Sequence, residues 1–442
     1  MEYYVEPEKK IPVTDRVDVL VAGGGPAGIG AAVAAARQGC KTMLIEQAGD
    51  VGGVATTGMM SHWTGETRGG LYEEILDRSR DDERNGDRQT INPEKLKNVL
   101  LEMLEEAGVL VRTYTFASDV VMEGDRIRGV LLESKSGREA VMAGTVIDCT
   151  GDGDLAARAG APFYKGREED GQMQPMTLMF KVAGVDEKRA IFPGSFETNI
   201  PVPDGMVQDL GKANLPSPAG HVLLYRSTIP GVVTVNMTNC TGADGTSAGD
   251  LARAHRDCRM QMEAIVAFLR RFVPGYEECY IISSASIIGV RETRHFLGES
   301  TIRREDVENA VQHEDWAVKD AHFNFDVHNL TGAGLDATGC QAKFTQKKGY
   351  TIPYGCLVPK KVEGLLLAGR DICGTHMAHS SYRVMPICVK LGEAAGNAAA
   401  ICTREGICPR QVPLRNSSRC LADRPLYVYF FRYSFGEIPF IL

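Results

Sequence analysis

The sequence predicts an α/β protein: a discontinuous, Rossmann-like nucleotide-binding domain around an inserted substrate domain of mixed α+β structure. Three observations lead there. A complete βαβ pattern occupies residues 17–46, and its rhythm disappears between about 160 and 339. A strand ending in a glycine and an acid then appears at 365–371, followed by a helix with a thin, small-residue face. The expected boundaries are 1–160 and 340–410 for the nucleotide domain, 161–339 for the insertion and 411–442 for a tail of different composition.

In the first pattern, residues 17–21 form an apolar run of strand length. The run enters a GxGxxG motif at Gly23, Gly25 and Gly28, and a small-residue helix follows from Pro26 until Gly39 stops it. A second strand, 42–45, ends in Glu46. The first glycine permits a tight turn, the second lets backbone N–H groups approach a pyrophosphate, and the third lets helix pack on strand. The helix N-terminus presents partial positive charge to the diphosphate. Glu46 stands 18 residues beyond Gly28, where a carboxylate accepts from a ribose diol. That carboxylate disfavours a 2′-phosphate, which leaves FAD and NAD. A second small-residue loop, 52–58 with Gly53 in it, follows the acidic strand at once and leaves room for a ribityl chain. FAD is the expected cofactor.

Asn92-Pro93 starts a helix, with a cap and then a proline at the first helical position; Leu96, Val99, Leu100, Met103 and Leu104 give its apolar stripe and Gly108 ends it. Strands are expected at 119–122, 127–133 and 138–142, then a separate buried strand at 146–149 running into Thr150-Gly151-Asp152-Gly153-Asp154. Gly151 and Asp152 either approach the cofactor or serve only to start the next helix. In the insertion, 222–225 and 232–237 read as strands and 250–272 as a long amphipathic helix. Ser247 sits in a GxSxG match, but a polar loop precedes it instead of the strand that a nucleophile elbow requires, so a helix cap is expected. His322, Asp326 and His328 read as a polar loop, and no metal site is expected. Arg291 and Arg294 follow an apolar strand; they pair with Glu292 or Glu299, or they face an anionic substrate group or the cofactor.

Near the C-terminus the apolar strand 365–368 runs into Gly369 and Asp371, which can accept from a ribityl hydroxyl. Pro386 opens a helix whose thin face is Gly392, Ala395, Gly396 and Ala399. A helix N-terminus beside a flavin pyrimidine would stabilise the negative charge that collects there on reduction.

The run GGGPAGIGAA, the TGDGD segment, GVRETR, and IPYGCLVPK with GLLLAGRDICGTHMAHSSYRVMP together resemble the FAD-dependent oxidoreductase family, a branch of the flavoprotein class that includes the succinate dehydrogenase and fumarate reductase flavoprotein subunits. The resemblance spans about 17–406. It implies a discontinuous FAD domain around a substrate domain, with Gly23, Gly25, Gly28, Glu46 and Asp371 as cofactor contacts. The segment His379 to Arg383 is similar in spacing to one whose arginine holds a substrate carboxylate in the fumarate reductase group, a role that would fall to Arg383. After Arg383 the sequence departs from that group, with Val384-Met385-Pro386 in place of its glycines. The expected chemistry is hydride transfer between a substrate carbon and flavin N5, with Arg383 and Arg291 orienting the substrate and His376 or His379 moving a proton. A non-redox flavoprotein and a flavin-binding sensor share every cofactor motif and remain the alternatives. His62 lies in a loop suited to covalent flavin attachment.

Composition narrows the partners. Of 442 residues 43% are hydrophobic and 24% charged, which excludes disorder and fibrous architectures. The net charge of −8 argues against nucleic acid and anionic membrane surfaces as partners. Twelve cysteines without a CxxC pair are expected to be reduced thiols in a cytoplasmic protein. The first ten residues carry no signal-peptide pattern, and 19–36 is too rich in Gly and Ala for a membrane span. No second strand-linked GxGxxG is present, so the redox partner is not named by the sequence. Seven aromatics crowd the tail between 426 and 442, where Arg432, Glu437 and Pro439 make a poor membrane span.

Overall fold

The computed structural model describes residues 2–81, 88–337, 344–346 and 348–413; the aromatic tail lies outside the described residues. Its principal sheet opens with β1 (Val13–Ala22), then α1 (Pro26–Arg37) and β2 (Thr42–Ile45). Helices α2 (Gly70–Ser79) and α3 (Pro93–Glu106) lead to β3 (Leu110–Arg112). Asn92 caps α3 by accepting from the Glu94 amide at 3.0 Å. Three long strands follow: β4 (Phe116–Glu123), β5 (Arg126–Ser134) and β6 (Gly137–Asp148).

Strands β3, β2, β1 and β6 lie parallel in that order. One expectation is corrected here. The segments 138–142 and 146–149 are not two strands, because β6 runs unbroken through both and pairs with β1 from Ala140 to Asp148. Its first half carries β5 antiparallel, and its second half carries β17 (Leu365–Leu367) parallel. A strand supplied from the far end of the chain thereby completes the sheet that the first forty-odd residues begin, which makes the nucleotide domain discontinuous.

The inserted region starts with α4 (Asp154–Arg158) and β7 (Phe163–Lys165). It continues through β8 (Phe180–Ala183), the short hairpin β9 (Pro201–Val202) and β10 (Gly205–Met206), and α5 (Val207–Asn214). Then come β11 (Leu224–Arg226), β12 (Val233–Val235), α6 (Ala248–Phe272) and β13 (Tyr280–Ser284). An antiparallel sheet in the order β11-β12-β8-β13 packs with α6 around Phe180, Val233, Val235, Ile265 and Leu269. Ser247 caps α6, accepting from the Asp250 amide, so the GxSxG serine is a helix start. Strand β14 (Arg294–Phe296) pairs with β7, and α7 (Arg304–Glu308), β15 (Trp316–Ala321) and β16 (Tyr350–Pro353) return the chain to the first sheet. Apolar residues from Phe296 onward join the core of that sheet, so residues 161–339 contribute to both interiors. The chain closes on α8 (His376–Tyr382) and α9 (Met385–Glu405). Among the described residues no helix is long and apolar enough to cross a membrane.

Helix α9 lies against α1 almost backbone to backbone. A Cβ at Gly392 would stand 1.9 Å from the Ala27 carbonyl oxygen, one at Gly396 2.3 Å from that of Ala31, and one at Gly30 2.3 Å from that of Val389. None of these atoms is the end of a flexible side chain, so the contact has no soft member. We expect Gly392→Ala to lower stability by about 1–3 kcal/mol in urea unfolding followed by circular dichroism. Gly194→Ala, where a Cβ meets nothing within 4 Å, should change it by less than about 0.5 kcal/mol.

Candidate functional site

The N-terminal turn is shaped by close approach. Gly23 has φ +97°, and a Cβ there would stand 2.4 Å from the Cys149 carbonyl oxygen, so the ends of β1 and β6 can meet only over glycine. A Cβ at Gly28 would lie 1.8 Å from the Gly23 carbonyl oxygen. Gly25 differs: nothing lies within 4 Å of its Cβ position, which is the open side of the α1 N-terminus. A Cβ at Gly53 would stand 3.0 Å from the Gly25 Cα, and the Gly52 amide donates to the Gly24 carbonyl at 2.7 Å, so the second small-residue loop is seated on the first. Glu46 is buried; its Oε2 accepts from the Gly24 amide and its Oε1 from the Ala48 amide, both at 2.7 Å. A carboxylate has about four lone-pair sites, so acceptor capacity remains for a diol.

The C-terminal signal arrives at the same place. Gly369 sits at the end of β17 with its Cβ position 3.3 Å from the Ala27 Cβ at the start of α1. Asp371, two residues on, is fully buried, and among the described residues neither carboxylate oxygen has a hydrogen-bond partner. Burial foremost, and then the charge of Asp148, pushes this carboxyl well above its ordinary range. A buried, unpartnered acceptor pair is costly, and the hydroxyls of a ribityl chain would satisfy it. Pro386 occupies the first turn of α9.

Gly151 and Asp152 tie this region together. A Cβ at Gly151 would press on the Arg370 guanidinium at 2.5 Å. Asp152 is no cap, since the N-cap of α4 is Gly153. Its Oδ1 accepts from the Thr293 hydroxyl at 2.8 Å and lies 3.2 Å from Arg370 Nη1, while its carbonyl accepts from Arg294 at 2.6 Å. Arg294 also pairs with Asp154 at 2.9 Å. Of the two arginines taken together in the sequence, Arg294 is thus the one with carboxylate pairing.

Arg291 is not. It is 8% exposed, donates to the Pro175 carbonyl, and among the described residues pairs with no carboxylate within 4 Å. Burial first and then the like charge of Arg383 push its pKa down to about 10. Arg383 ends α8 and donates through Nη2 to both the carbonyl and Oδ2 of Asp326, each at 2.9 Å; its Nε is buried without a partner. His328 Nε2 stands 3.5 Å from Asp326 Oδ2. Burial and the Arg291 charge press that imidazole down to about 4, leaving it neutral near pH 7.

His376 and His379 have different surroundings. His376 Nδ1 lies 2.6 Å from Glu292 Oε1, which His295 Nε2 also reaches at 2.8 Å. Burial opposes the His376 cation, but the hydrogen bond and charge of Glu292 outweigh it and the pKa is raised. Burial opposes the Glu292 anion too, yet the two histidines hold it well below the carboxylate range. His379 is 1% exposed, its Nδ1 has no partner, and burial followed by the His295 charge drives its pKa well down.

The sequence reading did not name Gln174, His221, Tyr225 or Asn236, and named Asp326 and His328 only as metal candidates. Among the described residues no group of three His, Cys, Asp or Glu is arranged to hold a metal ion. The missed signal was polarity inside apolar strands: HVLLY at 221–225 and VVTVNM at 232–237. His62 stacks on Tyr225, ring centroids 5.3 Å apart, and its Nδ1 lies 3.2 Å from the Thr90 hydroxyl.

A family model described as FAD dependent oxidoreductase matches residues 18–421. Among solved structures, the chain is similar to the flavin-dependent brominase Bmp2 (13% identity over 88% of this chain and 80% of that one, TM-score 0.47). It is also similar to a geranylgeranyl bacteriochlorophyll reductase-like protein from Thermoplasma acidophilum (14%, 89% and 80%, TM-score 0.46). A third is p-nitrophenol 4-monooxygenase from Pseudomonas putida (12%, 89% and 82%, TM-score 0.44).

The Asp371 arrangement has a measurable consequence. A carboxyl whose folded pKa exceeds its unfolded value keeps its proton longer in the native state, so apoprotein stability falls as pH rises above the ordinary value of 3.8. Asp371→Asn removes that loss. We expect the melting temperature of the apo variant to rise relative to wild type between pH 4 and pH 7, and flavin retention on gel filtration to fall.

Proposed function

The chain belongs to the FAD-dependent oxidoreductase family, and from that premise we propose an enzyme that transfers a hydride between flavin N5 and a carbon of a small anionic substrate. FAD is the cofactor, and when bound it supplies the two-electron chemistry at N5. The turn at Gly23 and Gly25, with Glu46 and Asp371, would hold it: backbone amides at the diphosphate, one carboxylate at a ribose diol, the other at ribityl hydroxyls.

The observation that carries the substrate reading is the Arg291–Arg383 pair. The buried Arg291 and the part-buried Arg383 lie within each other's field, and Asp326, which Arg383 holds, is the acid whose charge acts on both. A charge taken out of water needs a partner, and a substrate carboxylate or polarised carbonyl would complete the set. Arg383 is also three residues from Pro386, at the helix start expected to face the flavin. A proton needs a carrier that is neutral and has a nitrogen available, and His379 Nδ1 meets both conditions. His376, engaged by Glu292, positions α8 instead.

Purified holoprotein should bleach under anaerobic titration with one member of a panel of organic acids and carbonyl compounds, or, once reduced, recolour with one. Arg383→Gln should keep its flavin and lose about a hundredfold or more in kcat/KM, the usual consequence of removing half of a buried charge pair. Wild-type turnover in that variant, or a flavin indifferent to every member of the panel in both redox states, overturns the reading.

A further inference from the structure

Around the same carboxylate four buried polar atoms have no partner among the described residues: Arg383 Nε, Gln174 Nε2, His221 Nδ1 and Asn236 Oδ1. Their residues belong to one cluster. The Gln174 side-chain oxygen accepts from the His328 amide at 3.1 Å. The Phe196 ring stands edge-on to both His221 and His328, at 4.6 and 4.8 Å between centroids. His221 Nε2 lies 3.2 Å from the Asn236 carbonyl oxygen, and Asn236 also bonds the Tyr225 phenol. Gln174, His221 and Asn236 are 1%, 3% and 6% exposed.

The chemistry of each free atom is fixed by what the rest of its residue does. A carbonyl only accepts, so His221 Nε2 must carry the proton, and in a neutral imidazole Nδ1 is then a lone pair. Burial, with His328 and Arg291 nearby, keeps that ring neutral down to about pH 3. Asn236 Oδ1 is likewise an acceptor. Arg383 Nε and Gln174 Nε2 are donors. With both imidazoles and the phenol uncharged, Arg291, Arg383 and Asp326 leave a formal excess of one positive charge. The vicinity therefore presents donors and positive charge together with two acceptors that want an O–H.

Resting on the reading that an anion binds at Arg291 and Arg383, we propose that the substrate is a hydroxylated monocarboxylate, and that His221 and Asn236 are its specificity-determining residues. The carboxylate satisfies the arginines and the Gln174 amide, and hydroxyl groups donate to His221 Nδ1 and Asn236 Oδ1. An unhydroxylated acid leaves both acceptors dry and unpaired. A dicarboxylate, hydroxylated or not, brings one negative charge too many.

The test is binding to holoprotein, measured by calorimetry and by perturbation of the flavin spectrum, with propionate, lactate, glycerate, succinate and malate as ligands. Lactate or glycerate should bind at least about tenfold more tightly than propionate or succinate, the scale of one unpaired buried acceptor. His221→Leu should erase that preference while propionate binding stays within about threefold. His221→Asn, which restores an acceptor oxygen near the place of Nδ1, should recover part of it and guards against a folding defect in the leucine variant. Equal binding of lactate, glycerate and propionate by wild type means that water serves those acceptors and overturns the proposal. So does a preference that survives His221→Leu, or tightest binding by succinate or malate. Failure of every carboxylate to bind, with Arg383→Gln turning over normally, would instead sink the anion reading beneath it.

Discussion

The contact between α1 and α9 is the constraint on which the rest of the structure depends. Hydrogen is the only substituent that fits at Gly30, Gly392 and Gly396, because each faces a carbonyl oxygen of the opposing helix. Bringing the axes this close sets the distance between the beginning and the end of the chain. The pairing of β17 with β6 sets the register of the same junction. Gly369 then falls against Ala27, Asp371 lies beside the GxGxxG turn, and the first turn of α9 is held by the same packing. A nucleotide spanning both segments needs their separation fixed to well under an ångström, and close-packed backbone does this better than side chains that can change rotamer.

A second constraint is electrostatic. The interior holds charges and polar atoms at positions where a stable fold alone would place apolar groups. Their surroundings sort them into two kinds. Glu292 is closed: two imidazoles and the backbone N–H of Gln174 satisfy it, so it braces α8 against the extended segment at 290–293. Asp371 and the group around Asp326 are open, one with two idle acceptor oxygens and the other with more positive than negative charge. Open groups weaken a fold in proportion to their desolvation, and a bound ligand recovers that loss. The position of the open groups therefore separates ligand-facing residues from structural ones more sharply than burial does.

That sorting explains what could be read from the sequence. The βαβ unit was legible because its residue types are forced locally: a glycine at 28 answers to a carbonyl five residues away, and Glu46 to the amide of Gly24. The start of α3 at Asn92-Pro93 and the cap at Ser247 were legible for the same reason. The continuity of β6 was not, because Ala143-Gly144 looks like a break, while in the fold a Cβ at Gly144 would stand 3.0 Å from the Asp18 carbonyl oxygen, so a small residue suits the strand there. The group around Asp326, proposed above to face the substrate, was the hardest to see. Gln174, His221, Asn236 and Asp326 are up to 152 residues apart, and each looks ordinary in its own neighbourhood. Only the pairing of β11 with β12 places His221 beside Asn236, and only the end of α8 gives Asp326 a guanidinium.

The residues 291–295 show how few positions connect the two halves of the site. Arg291 turns into the open cluster, and Glu292 takes the two imidazoles. Thr293 and Arg294 bind the loop after β6 through Asp152 and Asp154, and Asp152 in turn meets Arg370 in the loop after β17. His295 reaches the Gly374 carbonyl at 2.8 Å, just ahead of α8. Five consecutive side chains thus touch the group around Asp326, α8 and the loops after β6 and β17. The bonds of Glu292 and His295 are buried and those of Thr293 and Arg294 part-buried, so the segment forms one connected polar network. On the proposed function, placing a reacting carbon over the flavin requires that the group around Asp326 and the cofactor loops keep a fixed separation. This segment supplies several of the direct polar connections between the two, beside the buried Ser61–Thr234 hydroxyl pair at 3.0 Å and the Ser286 amide that donates to the Thr57 carbonyl.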